Sequence, residues 1–177
     1  MSEIKHVQLP LDASTIASLH AGDVVHITGT LYTGRDAAHK RMCEYLKEGR
    51  ELPIPLQGEV IYYAGPCPPK PGEAIGSIGP TTASRMDAYS PSLIASGLIA
   101  MIGKGARNQE VITAIKEFKG VYFSAIGGVA ALMGKCVKSA EVIAFEDLGT
   151  EAIRKLEVEE LPVIVAVDSK GNNLYDR

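Results

Sequence analysis

From Ser90 to Asp168 the chain switches repeatedly between short β-branched runs and stretches of helical period. That alternation constrains the fold more than any other feature. Residues 98–103, 121–126, 142–145 and 161–168 are apolar on both faces, as buried strands of a parallel sheet are. Between them, residues 108–118 put Val111, Ile112, Ile115 and Phe118 on one helical stripe, and residues 129–137 are apolar almost all round, predicting a buried helix. Gly127-Gly128 makes the turn between strand and helix, a short acidic helix follows residue 145, and Ser169-Lys-Gly-Asn predicts a hairpin into residues 173–175. The expectation is an α/β domain with a mixed, largely parallel sheet flanked by helices.

The first third follows the same rhythm. Residues 6–11 are extended; Asp12 can cap a short helix that buries Ile16 and Leu19; residues 23–32 form a β-branched strand. His26 lies within that strand with no second metal ligand nearby in sequence, which favours a core or sheet-face histidine. Strand gives way to helix at Thr33-Gly34, and the helix carries Ala38, Met42 and Leu46 on one side. Arg35 falls in its predicted first turn, against the helix dipole, and shares a face with His39. A misfit of that kind marks a functional residue, unless Asp36 simply compensates for it. Residues 58–65 read as a strand, with Tyr63 in a packing role. The proline-rich stretch 65–72 can be neither helix nor central strand. Strand signals resume beyond it, so it is expected to be a rigid loop within one domain spanning residues 1–177.

With 46% hydrophobic and 22% charged residues the chain is globular, and a net charge of −3 argues against a nucleic-acid surface. No apolar run is long enough to cross a bilayer, and the first residues lack an apolar signal core, so the expected location is cytoplasmic. Cys43, Cys67 and Cys136 form no CxxC pair, which predicts buried or half-buried thiols and no self-contained metal site.

The stretch Gly79-Pro-Thr-Thr-Ala-Ser-Arg-Met-Asp87 concentrates two hydroxyls, a guanidinium and a carboxylate. If Thr81 or Thr82 caps a helix, backbone N–H groups and Arg85 converge on an anion; the bland alternative is a capped helix with a surface arginine. In α/β domains ligands sit where strands end and helices begin. Four such turns carry Arg35, Thr81-Thr82-Arg85, Lys104 and Gly127-Gly128. Gathered into one pocket, three cations and two hydroxyls suit a small molecule with two anionic groups.

Thr33-Gly-Arg-Asp-Ala-Ala-His-Lys-Arg41, Tyr63-Ala-Gly-Pro66, the stretch 79–87, Met101-Ile-Gly-Lys-Gly105 and Gly127-Gly128 occur in this order in the class I fumarate hydratase family. The chain resembles its β subunit, equivalent to the C-terminal domain of the single-chain enzymes, and is similar to L-tartrate dehydratase β subunits. The resemblance implies a swivelling β/β/α domain that moves against a larger partner, and reversible hydration of fumarate to L-malate. It implies that Arg35 and Arg85 bind carboxylates, that Thr82 and Lys104 contact substrate, and that Thr81 is the base, with Lys104 beside it in the catalytic set. His39 is assigned to substrate binding and, by its ordinary pKa, is the competing candidate for the base. The family's [4Fe-4S] cluster and its acid belong to the α subunit, so no metal is expected on this chain. The partners implied are that α subunit, in a hetero-oligomer, and a dicarboxylate; alone, the chain is expected to self-associate at most. Ser84 stands where glycine is common in the family. Two alternatives stay open: a β subunit of a dehydratase for tartrate or another hydroxy-dicarboxylate, and a dicarboxylate-binding module without catalysis.

Overall fold

The structure is a computed structural model and describes residues 3–125 and 130–176. The Gly127-Gly128 turn lies outside the described residues. In chain order the elements are β1 (Lys5–Gln8), α1 (Ala13–Ser18), β2 (Val24–Thr33), α2 (Asp36–Lys47), β3 (Val60–Tyr62), α3 (Ser90–Ala95), β4 (Ala100–Gly103), α4 (Gln109–Phe118), β5 (Val121–Ser124), α5 (Ala130–Lys135), β6 (Val137–Ala144) and β7 (Ile153–Val167). 3₁₀ segments span Ala83–Met86, Glu146–Glu151 (kinked at Gly149) and Leu174–Asp176.

The seven strands form one sheet in the order β1-β2-β3-β4-β5-β7-β6. The pairs from β1 to β5 are parallel, as the apolar, two-faced strands predict. The 15-residue β7 changes the architecture, because it pairs antiparallel with β5, with β6 and also with β2. The pairings β2-β3-β4-β5-β7-β2 therefore run round in a closed circuit. The sheet is mixed, as expected, but its antiparallel part is a central element rather than a terminal addition.

Alternation along the strands builds two cores. Val25, Ile27 and Leu31 of β2, Val60 and Tyr62 of β3, and Val163 and Val165 of β7 face a core covered by Ile16 and Leu19 near α1 and by Met133 of α5. The neighbours Ile61, Tyr63, Met101 and Tyr122 face a second core with Met42 of α2, Leu93 of α3 and Val111 and Ile115 of α4. Period-two burial divides one sheet between two layers.

Local signals explain two helix starts. Asp12 accepts from the Thr15 N–H and starts α1, and Asn108 accepts from the Val111 N–H and starts α4. Several expectations need correction. Phe118 is 43% exposed at the C-terminal end of α4, and Leu132 is 50% exposed, so α5 is not buried all round. α5 stops at Lys135, and the residues after Cys136 extend into β6 instead. The hairpin expected after Ser169 reduces to one bridge, Val167 to Asn173, before a 3₁₀ turn. Cys67 is exposed on the proline-rich loop, whereas Cys43 and Cys136 are half-buried as expected.

Candidate functional site

The carboxyl ends of β2, β3 and β4 lie side by side, and backbone hydrogen bonds lock the polar motifs onto them. The Gly34 N–H bonds the Tyr62 carbonyl at 3.0 Å, and the Thr81 N–H bonds the Tyr63 carbonyl at 2.7 Å. The Lys104 N–H then bonds the Thr81 carbonyl at 3.3 Å, and the Ala83 N–H bonds the Lys104 carbonyl at 2.8 Å. Thr81 and Thr82 thus continue the sheet between the ends of β3 and β4. The order across the rim is Arg35, Thr81-Thr82, Lys104.

Arg35 does not sit in the first turn of α2; it is the N-cap residue, with extended backbone (φ −119°). Its guanidinium lies across Gly65, where a Cβ would come within 3.1 Å of Arg35 Cδ and Nη1 and 3.0 Å of the Thr150 carbonyl. A side chain at position 65 would displace the arginine. Asp36, next in the chain, accepts from Arg85 Nε at 2.9 Å. The Asp36 carboxylate thus pairs with Arg85, and Asp36 follows Arg35 directly in the chain. Arg85, on the Ala83–Met86 turn, keeps half of its side chain exposed, and Lys104 and Thr82 are exposed beside it.

Neither threonine makes a side-chain cap. Thr82 occupies the N-cap position of the 3₁₀ turn without a side-chain hydrogen bond, and the Thr81 N–H is already bonded to Tyr63. The capped helix expected here is replaced by this turn, which leads into α3 with Pro91 in its first turn.

His39 is fully buried beneath Arg35 rather than presented on the rim with it. Its Nδ1–H donates to the Arg35 carbonyl at 2.8 Å, and its ring meets Tyr63 edge-on at 5.2 Å. Burial pushes its pKa down to about 4; the bond to Arg35 opposes that shift and the Arg107 charge adds to it. The imidazole is neutral at pH 7, with the proton on Nδ1.

Three buried side-chain polar atoms among the described residues lack a hydrogen-bond partner within the chain: Arg35 Nε, Asp36 Oδ1 and His39 Nε2. All three fall within the five consecutive residues 35–39, at and beneath the rim. Buried polar atoms are almost always paired, so these three are exceptions to that rule.

Beneath the rim lies a network that sequence reasoning missed. Arg107 is buried, and its Nε donates to Asp87 Oδ1 at 2.7 Å. Its Nη2 donates to Ser90 Oγ at 2.8 Å and to Tyr63 Oη at 3.1 Å. Its guanidinium also lies 4.7 Å from the Tyr122 ring centroid. Burial works against this charge, but Tyr63 and Asp87 outweigh it and hold the pKa above the usual range. The Asp87 carboxylate, counted with the anion-binding stretch on sequence, instead anchors that stretch to the core. Its second oxygen accepts from the Asn108 N–H and ties the turn to the start of α4. The Asp87–Arg107 spacing carries no sequence signal; only the turn geometry brings the two together.

The three thiols are not gathered. Cys43 on α2 points at the Tyr89 carbonyl, Cys67 is on the proline-rich loop, and Cys136 contacts the Leu132 and Glu160 carbonyls. They do not fit the ligand set of an iron–sulfur cluster.

Comparison with known proteins gives this rim a context. A family model described as Fumarase C-terminus matches residues 1–177. The chain is 43% identical over 153 residues to the class I aerobic fumarate hydratase of Escherichia coli K12, covering 85% of this chain and 28% of that protein. It is 41% identical over 158 residues to fumarate hydratase 2 of Leishmania major, covering 88% of this chain and 28% of that protein. A Methanocaldococcus jannaschii protein, provisionally described as an L(+)-tartrate dehydratase subunit beta, is 38% identical over 172 residues, covering 94% of this chain and 88% of that protein. The chain thus spans little more than a quarter of the fumarate hydratases it matches, and nearly all of the subunit. No described helix is long and apolar enough to cross a membrane. With the matched model running from its first residue to its last, the chain belongs to the Fumarase C-terminus family.

Proposed function

We propose that this chain is the β subunit of an iron–sulfur hydro-lyase that interconverts fumarate and L-malate, and that residues 1–177 act as one swivelling unit against a cluster-bearing α subunit. The observation that carries the reading is the rim itself: Arg35 at the start of α2, Arg85 paired with the adjacent Asp36, and Lys104 and Thr82 exposed and bridged to each other at the strand ends. Such a rim is half of a site for a dicarboxylate.

Each residue has a role in this reading. Arg35 and Arg85 take one carboxylate each, with forked, charge-assisted hydrogen bonds. Asp36 orients the Arg85 guanidinium, and Lys104 adds a third cation. Thr82 donates its hydroxyl to the substrate. Thr81, as its alkoxide, removes the proton from the carbon that carries it, and the adjacent C–O bond breaks to release water. A threonine hydroxyl is a poor base, so its alkoxide needs the nearby cations Arg85 and Lys104. His39, buried and neutral, positions Arg35 through its carbonyl rather than touching substrate. Acid assistance to the departing hydroxyl must come from the α subunit, because this chain's thiols do not fit a cluster.

The near-complete match to an L(+)-tartrate dehydratase subunit favours a second reading, in which the same half-site serves tartrate. The test is anaerobic reconstitution with the α subunit, followed by assays on fumarate and L-tartrate and by solvent exchange of the substrate carbon's proton. Turnover of fumarate with loss of exchange in Thr81→Val, partial activity in Thr81→Ser, and a milder defect in His39→Asn is the expected pattern. Exchange that survives Thr81→Val and vanishes in His39→Asn would transfer the base role to histidine; turnover of tartrate alone would reassign the substrate.

A further inference from the structure

At the opposite end of β2 from Arg35, a second set of side chains converges. β1 and β2 pair in parallel with His6 directly beside His26, both on the face opposite the buried Val7, Val25 and Ile27. On the other edge of β2, the register with β7 shifts between Ile27 and Gly29, so Glu159 and Glu160 together oppose Thr28. This is a β-bulge, and bulges re-aim side chains. Glu160 takes a left-handed backbone (φ 53°), which is unfavourable for a residue with a side chain, and its N–H is held by Thr28 Oγ1 at 3.0 Å. The result is that Glu160 Oε2 stands 2.7 Å from His6 Nδ1 and 3.1 Å from His26 Nδ1. One ligand atom from each of the three residues lies within 4.8 Å of the other two.

We propose that His6, His26 and Glu160 form a binding site for a zinc-class divalent cation, separate from the dicarboxylate rim. The donor set is two imidazole nitrogens and one carboxylate oxygen, which suits a borderline ion rather than magnesium or calcium. A tetrahedral zinc with bonds of about 2.0–2.2 Å needs ligand atoms roughly 3.3 Å apart. The His6 side chain is largely exposed and that of Glu160 about half exposed, so small rotations bring all three donors to that spacing. A fourth position remains open to solvent. The ion replaces the Nδ1 protons now shared with Glu160, whose carboxyl those bonds already hold below its ordinary pKa, with His6 the larger influence. From His26 to Arg35 is nine residues, about 25–30 Å along an extended strand, so the ion takes no part in binding the dicarboxylate. Its effect is to tie β1, β2 and the β7 bulge together.

The test uses the full chain and two probes, Zn²⁺ by equilibrium dialysis and Co²⁺ by its visible absorption. The expected result is one equivalent bound, a tetrahedral Co²⁺ spectrum without a thiolate charge-transfer band, and a rise in Tm with added Zn²⁺. Binding should be lost in His6→Gln, His26→Gln and Glu160→Gln, and kept in His20→Gln and Cys136→Ser. Because the His6 side chain is largely exposed, His6→Gln tests the site without disturbing the core. Absence of bound metal, binding that survives His6→Gln, or a thiolate band that disappears with Cys136→Ser would overturn the assignment.

Discussion

Arg107 and Arg85 lie close in the fold and are treated in opposite ways. Arg107 has no exposed side-chain surface and donates to Asp87, Ser90 and Tyr63. Arg85 is half-exposed, and its one side-chain hydrogen bond among the described residues is from Nε to Asp36. A buried arginine with its donors occupied is a structural pin, since a buried charge without partners is costly. A rim arginine with donors to spare can accept a ligand. The pin holds Asp87, Asp87 holds the end of the turn that carries Arg85, and the rim is fixed from below. Residue type alone does not separate these roles; the number of occupied donors does.

The contrast is broken most severely by removing the pin. Arg107→Met leaves the Asp87 carboxylate buried without its charge partner and should destabilise the chain by about 3–5 kcal/mol, read from urea unfolding. A loss below about 1 kcal/mol would mean that Arg107 is no more structural than a surface ion pair.

A smaller effect tests the buried histidine between the two layers. Its folded pKa of about 4 lies below the unfolded 6.5, so the unfolded chain binds a proton that the folded chain does not. The stability this contributes is complete above pH 6.5 and is lost as pH falls from 6.5 towards 4, by roughly 3 kcal/mol. His39→Gln should flatten the stability profile in that window relative to the unsubstituted chain. Parallel profiles would mean that His39 is solvated and free to titrate on the rim.

Arg85→Met should have the least effect on stability, under about 1 kcal/mol, as for exposed ion pairs. In the assembled enzyme it should nevertheless lower kcat/KM roughly ten- to hundredfold, through lost charge-assisted bonds of about 1.5–3 kcal/mol. An unfolding midpoint that drops as far as in Arg107→Met would erase the distinction between pin and rim.

The alternation of periods made β2, α2, β4, α4 and β5 readable in the sequence, because each is long or patterned enough to declare its type. Of the rim positions, Arg35 and Lys104 directly follow the ends of β2 and β4, whereas Thr81 and Arg85 reach the rim only through a long loop after β3. The first half of β7 was not recognised. There Leu156 and Val158 alternate with charged residues, the signature of a half-buried antiparallel strand, amid an acidic stretch. Missing it hid the closed circuit of strands. It also hid the company of His26, because Glu160 reaches His26 across 134 residues of sequence. Pairings of that length have no local signal, and the same holds for Asp87 with Arg107.

The long β7 also sets a timetable for how the chain is made. β2 needs β7 as its neighbour, and His26 waits for Pro162 before that edge is covered. At about 5–20 residues per second of synthesis, β2 leaves the ribosome on the order of ten seconds before its partner strand exists. During that interval its outer edge is bare and open to pairing with other chains. The circuit therefore closes only once β7 has been made, and a pairing of such sequence separation is the kind that slows folding.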